Sequence, residues 1–350
     1  MNDAGERRRN TQQDSVSVTM ASLLPLHRRM DLPVNRDLRN GLLFISPWIL
    51  GFLLLVLFPF GASLYWSFCA FDLLTPPRFV GAIHYQRLAE EIVSGQGFGL
   101  ALWNTAYYAL VSVPLSIALG IGLAVILSWP LRGRSIYRTI LFLPAVIPVV
   151  ASSVLWMWLL DAQSGLVNQV LGFAQLPDSP WFKGTQQAAW PADWFSAETG
   201  GLQLLFGSKD AVVLMALWGV GNFMIIYLAA IGDLPQQLYE AAEIDGAGPC
   251  RRFMSITLPM LSPVIFFNLV MGLIQSVQAF TQIYIVSEGT GAPAGSTLML
   301  SLHVFLSAFQ DLDMGYASAM AWIMFVGLLA ATALLFRISR GWVFYAGVKP

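Results

Sequence analysis

Six apolar stretches without a single Asp, Glu, Lys, Arg or His constrain this chain more than any other feature. They lie near residues 43–68, 101–127, 139–160, 211–232, 263–286 and 316–336. A run of about 20 mainly apolar residues is long enough to cross a bilayer as a helix. A helix also satisfies its own backbone hydrogen bonds, which lipid cannot do. The expected fold is therefore all-α: a polytopic membrane protein with six transmembrane helices. Composition agrees, with 56% hydrophobic and only 11% charged residues, against about 25% charged in soluble domains. Pro59, Pro114, Pro144 and Pro148 fall inside these runs, where neighbouring helices can satisfy the freed carbonyls.

Charge distribution predicts orientation. With the N-terminus inside, 15 of the 19 Lys and Arg residues fall in cytoplasmic segments, as the positive-inside rule requires. Arg78, Arg87, Lys183 and Lys209 remain outside. Both termini are then cytoplasmic. Residues 1–38 read as a basic, disordered cytoplasmic tail rather than a cleavable signal, because no short apolar core with a small-residue cleavage site follows the arginines. Residues 39–345 form the membrane domain. On the outside, a long loop at about 161–210 carries Trp181, Trp190 and Trp194, readable as interface anchors or as a docking surface. Residues 297–309 are too short to span and read as an interfacial or mouth-packing helix.

Several function classes lose support. A net charge of −1 argues against nucleic acid. Cys69 and Cys250 fall on opposite sides of the membrane in this topology. The histidines His27, His84 and His303 are scattered, so no metal spacing exists and no metal or cofactor is expected. Uncharged spans weaken an ion-coupled carrier, although carbonyls alone can hold sodium. No G-x-x-x-x-G-K-[ST] phosphate loop occurs, so ATP would have to be used by another chain.

The stretch 238–263, LYEAAEIDGAGPCRRFMSITLPMLSP, lies between the fourth and fifth spans on the cytoplasmic side. Pro235 suits the first turn of a helix. Gln236–Ile244 reads as helix, Gly246 suits a positive φ at its end, and Pro249 restarts a second helix that Pro259 ends. Small residues at 241, 242 and 246–248 let another surface approach closely, and Glu240 and Glu243 can face a basic partner. The residues alone leave two readings open: a docking element, or an amphipathic segment whose Phe253, Ile256 and Leu258 dip into the headgroups.

The pattern E-A-A-x-x-D-G-A-x-x-x-x-x-F-x-x-I-x-L-P, present as Glu240, Ala241, Ala242, Asp245, Gly246, Ala247, Phe253, Ile256, Leu258 and Pro259, resembles the signature loop of binding-protein-dependent ABC importer permeases. FVGAIHYQRL at 79–88, WNTAYYALVSVPLSIALGIGLA at 103–124, residues 132–171 and GYASAMAW at 315–322 resemble the carbohydrate branch. Within it they look like the first of the two maltose or glycerol-phosphate permease subunits. The resemblance covers about residues 40–345 and departs from the family in the tail and in an apparent insertion near 184–208. It implies a coupling loop at 234–262, docked on two cytoplasmic ATPase subunits. It also implies a second permease subunit, an extracytoplasmic binding protein and a sugar or polyol substrate, in a bacterial or archaeal cytoplasmic membrane. Glu240 is then the expected ion-pairing residue. Gly246 shapes the turn, Ala241, Ala242 and Ala247 permit docking, and Phe253 and Ile256 pack onto the bundle.

For the solute path, Asn268, Gln275 and Gln282 recur every seven residues, with Gly272 between them and Ser276 beside them. Such a stripe either holds helices together or faces a wet cavity; the cavity reading is preferred here because sugars need amide contacts. Asn222, with Phe223 beside it, is a weaker candidate. The competing readings are a stand-alone channel or facilitator, and a permease of the same type for a non-sugar solute.

Overall fold

The structure, a computed structural model, describes residues 34–130, 132–173, 181–182 and 207–344. The basic tail up to residue 33 and most of the 184–208 insertion lie outside them. The chain divides into two units, residues 1–60 and 61–350.

In the first unit, α1 (Val34–Phe52) runs into a five-residue π turn, Leu53–Leu57, and then into α2 (Phe58–Trp66), whose residues from 61 onward belong to the second unit. The stretch Leu38–Trp66 is one apolar helix long enough to cross a membrane. Phe44, Leu54 and Leu55 stand exposed, a surface suited to lipid rather than water.

The second unit is built around α4 (Phe98–Ser128), whose 31 residues give a length of about 46 Å. Before it come a two-residue antiparallel pair, β1 (Cys69–Ala70) with β2 (Arg78–Phe79), and α3 (Ile83–Ser94). After it come α5 (Arg134–Val146) and α6 (Val149–Leu159), bent by 97°, α7 (Leu166–Phe173), and α8 (Ser208–Trp218) with α9 (Gly221–Gly232), bent by 44°. The loop helices α10 (Gln236–Ile244) and α11 (Pro249–Arg252) precede α12 (Leu258–Val277). Then follow α13 (Thr281–Val286), α14 (Leu300–Phe309) and α15 (Met314–Ser339).

Among the described residues, four helices are long and apolar enough to span, or six if each bent pair counts as one span. The third span is not a straight helix over 139–160. Ile147 is extended at ψ 131° before Pro148, because the proline ring excludes the α conformation from the residue ahead of it.

One stripe of α4 carries the packing. Ala101, Asn104, Tyr108, Ser112, Ser116, Gly120 and Ala124 are buried at spacings of three and four, the period of one helix face. Small residues let neighbouring backbones close in where lipid supplies no hydrophobic drive between helices. Buried hydroxyls bond back along their own helix: Ser112 Oγ donates to Tyr108 O at 2.6 Å and Thr105 Oγ1 to Ala101 O at 2.8 Å. Three apolar clusters follow the length of α4. Leu88, Phe98, Leu300 and Tyr316 gather near its start, Tyr108, Val212, Ile283 and Leu302 near its middle, and Ile121, Met224, Tyr227 and Leu228 toward its end.

Candidate functional site

The loop at 234–262 forms a braced elbow. α10 ends with Gly246 at φ +75°. There the Gly246 N–H donates to Glu243 O at 3.0 Å and the Ala247 N–H to Ala242 O at 2.8 Å, the paired bonds of a Schellman turn. Arg252 Nη1 donates to Glu243 at 3.1 Å, and the Tyr239 and Thr257 hydroxyls meet at 2.8 Å. Glu243 therefore serves a cation of its own chain, whereas the sequence allowed it to face a partner. Glu240, Ala241, Asp245 and Gly246 are exposed, Ala242 and Ala247 half-buried. Ile244 is 87% exposed at the elbow tip. Phe253 packs against the Ile121–Tyr227 cluster, and Ile256 is half-buried.

Pro259 does not end the second helix. Helix runs without a break from Pro249 to Val277. A π turn at Phe253–Thr257 absorbs the proline: the Leu258 N–H reaches back five residues to Phe253 O. This shift of register relieves the clash and the missing donor that a proline imposes on an α-helix. Past the turn, Ser262 Oγ donates to Pro259 O at 2.6 Å and accepts from the Phe344 N–H at 2.8 Å.

The expected amide stripe is broken. α12 stops at Val277, and Gln282 belongs to the separate helix α13. The carbonyl of Ala279, freed by the break, accepts from Ser301 Oγ of α14. Asn268, Gly272 and Ser276 are buried on one face, and a Cβ on Gly272 would stand 2.8 Å from Val113 Cγ1 of α4. Gln275 is exposed. Asn268 lies beside the Tyr227 hydroxyl without closing a well-formed bond to it, since Asn268 Nδ2 and Tyr227 Oη are both buried without a partner. Gln282 Nε2 donates to Tyr108 Oη at 2.8 Å. Asn222 is exposed and Phe223 half-buried. The seven path residues thus divide between a buried set of three on one face of α12, a Tyr108-bonded amide, an exposed pair of amides and the half-buried Phe223.

At the far end of the bundle a polar clamp appears that sequence reasoning missed. Glu91 of α3 accepts from Tyr316 Oη of α15 at 2.6 Å, from the Phe98 N–H at the start of α4 at 2.7 Å, and from Arg87 Nε at 3.0 Å. The Arg87 guanidinium lies 3.9 Å from the Tyr316 ring centroid and 3.7 Å from Asp313. Burial by itself would raise the Glu91 carboxyl. The bonds from Tyr316, Phe98 and Arg87 outweigh it and hold the group below the usual carboxylate range. Gly315 permits the approach, because a Cβ there would meet Cys69 O at 2.1 Å. His84 bonds the same carbonyl at 3.0 Å. Arg87 and His84 belong to the 79–88 segment and Gly315 and Tyr316 to 315–322, two family-like segments distant in sequence that form one contact. Nearby, Asn104 Nδ2 donates to the carbonyls of Gly295 and Leu298, both at 2.8 Å. Among the described residues, no group of three or more His, Cys, Asp or Glu is placed to hold a metal ion.

Long apolar helices packed around buried amides and hydroxyls, with a braced loop at one end, define an integral membrane protein of the α-helical bundle class. Residues 116–343 match the family described as binding-protein-dependent transport system inner membrane component. A probable ABC transporter permease protein of Bacillus subtilis, YesP, is 37% identical over 89% of this chain and 94% of its own length. The lactose transport system permease protein LacF of Rhizobium radiobacter is 33% identical over 86% and 94%. The trehalose/maltose transport system permease protein MalF of Thermococcus litoralis is 30% identical over 87% and 95%. A chain of the bacterial alginate ABC transporter, solved in complex with an alginate pentasaccharide-bound periplasmic protein, shares the fold. It has a TM-score of 0.68 at 22% identity, over 89% of this chain and 98% of that one. The chain belongs to the family of binding-protein-dependent transport system inner membrane components, the membrane-embedded permeases of ABC transporters.

Proposed function

We propose that this permease carries a sugar or polyol, handed over by an extracytoplasmic binding protein, and forms half of the path with a second permease subunit. ATP hydrolysis takes place on two cytoplasmic ATPase subunits, and the chain itself is not an enzyme. Six spans with both termini in the cytoplasm fit the Lys and Arg distribution and put the elbow on the ATPase side. The carbohydrate reading draws support from relatives named for lactose and for trehalose and maltose.

The observation that carries the mechanism is continuity. α11, the π turn and α12 make one helix from Pro249 to Val277, so a push on the elbow reaches Asn268 and Gly272 without crossing a joint. Across the elbow, the Glu243–Arg252 pair and the Tyr239–Thr257 bond keep α10 from folding independently. Glu240, Ala241 and Ile244 face out for docking, and Asn268, Gln282 and Tyr108 are candidates for solute contact.

The test is reconstitution of the complete transporter in liposomes beside the permease alone. Uptake of sugar should need the ATPase subunits, the binding protein and ATP. Equilibration of sugar by the isolated chain would establish a facilitator instead. ATP-driven uptake limited to a non-sugar solute would retain the permease and remove the carbohydrate.

A further inference from the structure

A cavity of about 620 Å³ opens among α4, α5, α9 and the elbow. That is room for about 20 water molecules at roughly 30 Å³ each. Leu228 and Ile231 contribute an apolar wall, and Arg134, Arg252, Gln236 and Tyr239 line the polar part. Among the described residues no carboxylate lines it; its charged groups are Arg134 and Arg252, the latter paired with Glu243 behind it.

Arg134 is the telling residue. Its Nε is buried and has no hydrogen-bond partner, and the same holds for Arg138 one turn further along α5. A guanidinium stays charged in proteins. A buried donor without an acceptor is costly and calls for one from outside the chain. Arg252 gives Nη1 to Glu243, one contact from a fork of five donors. Two arginines, a phenol and an amide around a cavity with no carboxylate in its lining match the bidentate recognition of phosphate oxygens.

We propose that this cavity binds a phosphate group, carried either by a membrane phospholipid headgroup or by a free phosphorylated solute. The apolar wall beside the arginines accommodates the glycerol and acyl end of the first. Because Gln236, Tyr239 and Arg252 belong to the elbow and Arg134 to α5, an occupied site ties the elbow to the bundle and stiffens the part that receives force.

The complete transporter, purified in detergent with its ATPase subunits, is titrated with dioctanoylphosphatidylglycerol, with inorganic phosphate and with phosphate-free dioctanoylglycerol. Arg134→Gln should weaken the phosphate ligand at least tenfold and Arg134→Lys by less, while Arg132→Gln, a neighbouring exposed arginine, leaves it unchanged. Co-purification of the ATPases checks assembly, and Arg134→Lys serves as the variant if the glutamine form fails to assemble. Arg134-dependent binding of phosphatidylglycerol but not of inorganic phosphate identifies a lipid site. Arg134-dependent binding of inorganic phosphate identifies a soluble ligand. The proposal falls if neither ligand responds to Arg134, if Arg132→Gln has an equal effect, or if dioctanoylglycerol binds as tightly as its phosphorylated counterpart.

Discussion

At the residue scale, two positions separate backbone from charge effects. Gly246 sits at φ +75° with nothing within 4 Å of where a Cβ would be, so substitution there strains only the backbone. Gly246→Val should cost about 1–2 kcal/mol at the turn. Since nothing else is touched, the bundle should keep its thermal midpoint while uptake per ATP hydrolysed falls several-fold. Glu91 is the opposite case, a side chain holding three donors from three helices. Glu91→Ala takes the acceptor from Tyr316 Oη and the Phe98 N–H and leaves Arg87 with Asp313 alone; it should destabilise the purified permease by about 2 kcal/mol, read as a lower thermal midpoint. Its folded pKa lies below the unfolded value, near 4.3 in model peptides. The carboxylate's contribution is therefore complete above about pH 4.3 and fades as pH falls through the lower folded value. Glu91→Gln should flatten the loss of stability in that acid window; an unchanged acid profile would show that the clamp is not what fails there.

Prolines are handled at the element scale by one device used twice. Each of the two π turns, Leu53–Leu57 and Phe253–Thr257, is followed by a residue whose N–H reaches back five positions and then by a proline, Pro59 and Pro259. An added residue of register turns everything N-terminal by about 100° around the helix axis. Pro259→Ala removes the reason for the second turn. If the helix relaxes to α geometry, Arg252 and Phe253 rotate away from their contacts. Coupled uptake should then drop while the amount of membrane-inserted protein holds, measured by uptake against immunoblot. The break at residues 278–280 obeys a related logic: a helix can stop in the bundle when a neighbour supplies a partner, here Ser301 for the carbonyl of Ala279.

For the whole molecule, the elbow and the clamp mark opposite ends of one unit, joined by α4 and α15. Glu240→Arg places a cation on the exposed face of α10 and should reduce ATPase co-purification and uptake at least tenfold; unchanged values for both would remove Glu240 from the docking surface. Gln275→Leu alters an exposed amide of α12 and should impair uptake with assembly intact, whereas normal uptake kinetics would return this amide to a packing role.

What the sequence determined by itself was whatever depends on local pattern. Uncharged runs long enough to span lipid specified an all-α membrane bundle. The spacing of Glu240, Ala241, Gly246 and Pro259 marked the elbow, and Gly246 took the positive φ that a helix end asks of glycine. Only the tertiary structure decided how those pieces meet. A seven-residue recurrence of Asn268, Gln275 and Gln282 assumes an unbroken helix, and the assumption fails where Ser301 from a distant segment makes a stop affordable in lipid. Likewise the Glu91 clamp joins residues 225 positions apart, beyond the reach of any periodicity. A buried donor must find its acceptor wherever the packing brings one, and sequence spacing carries no record of that.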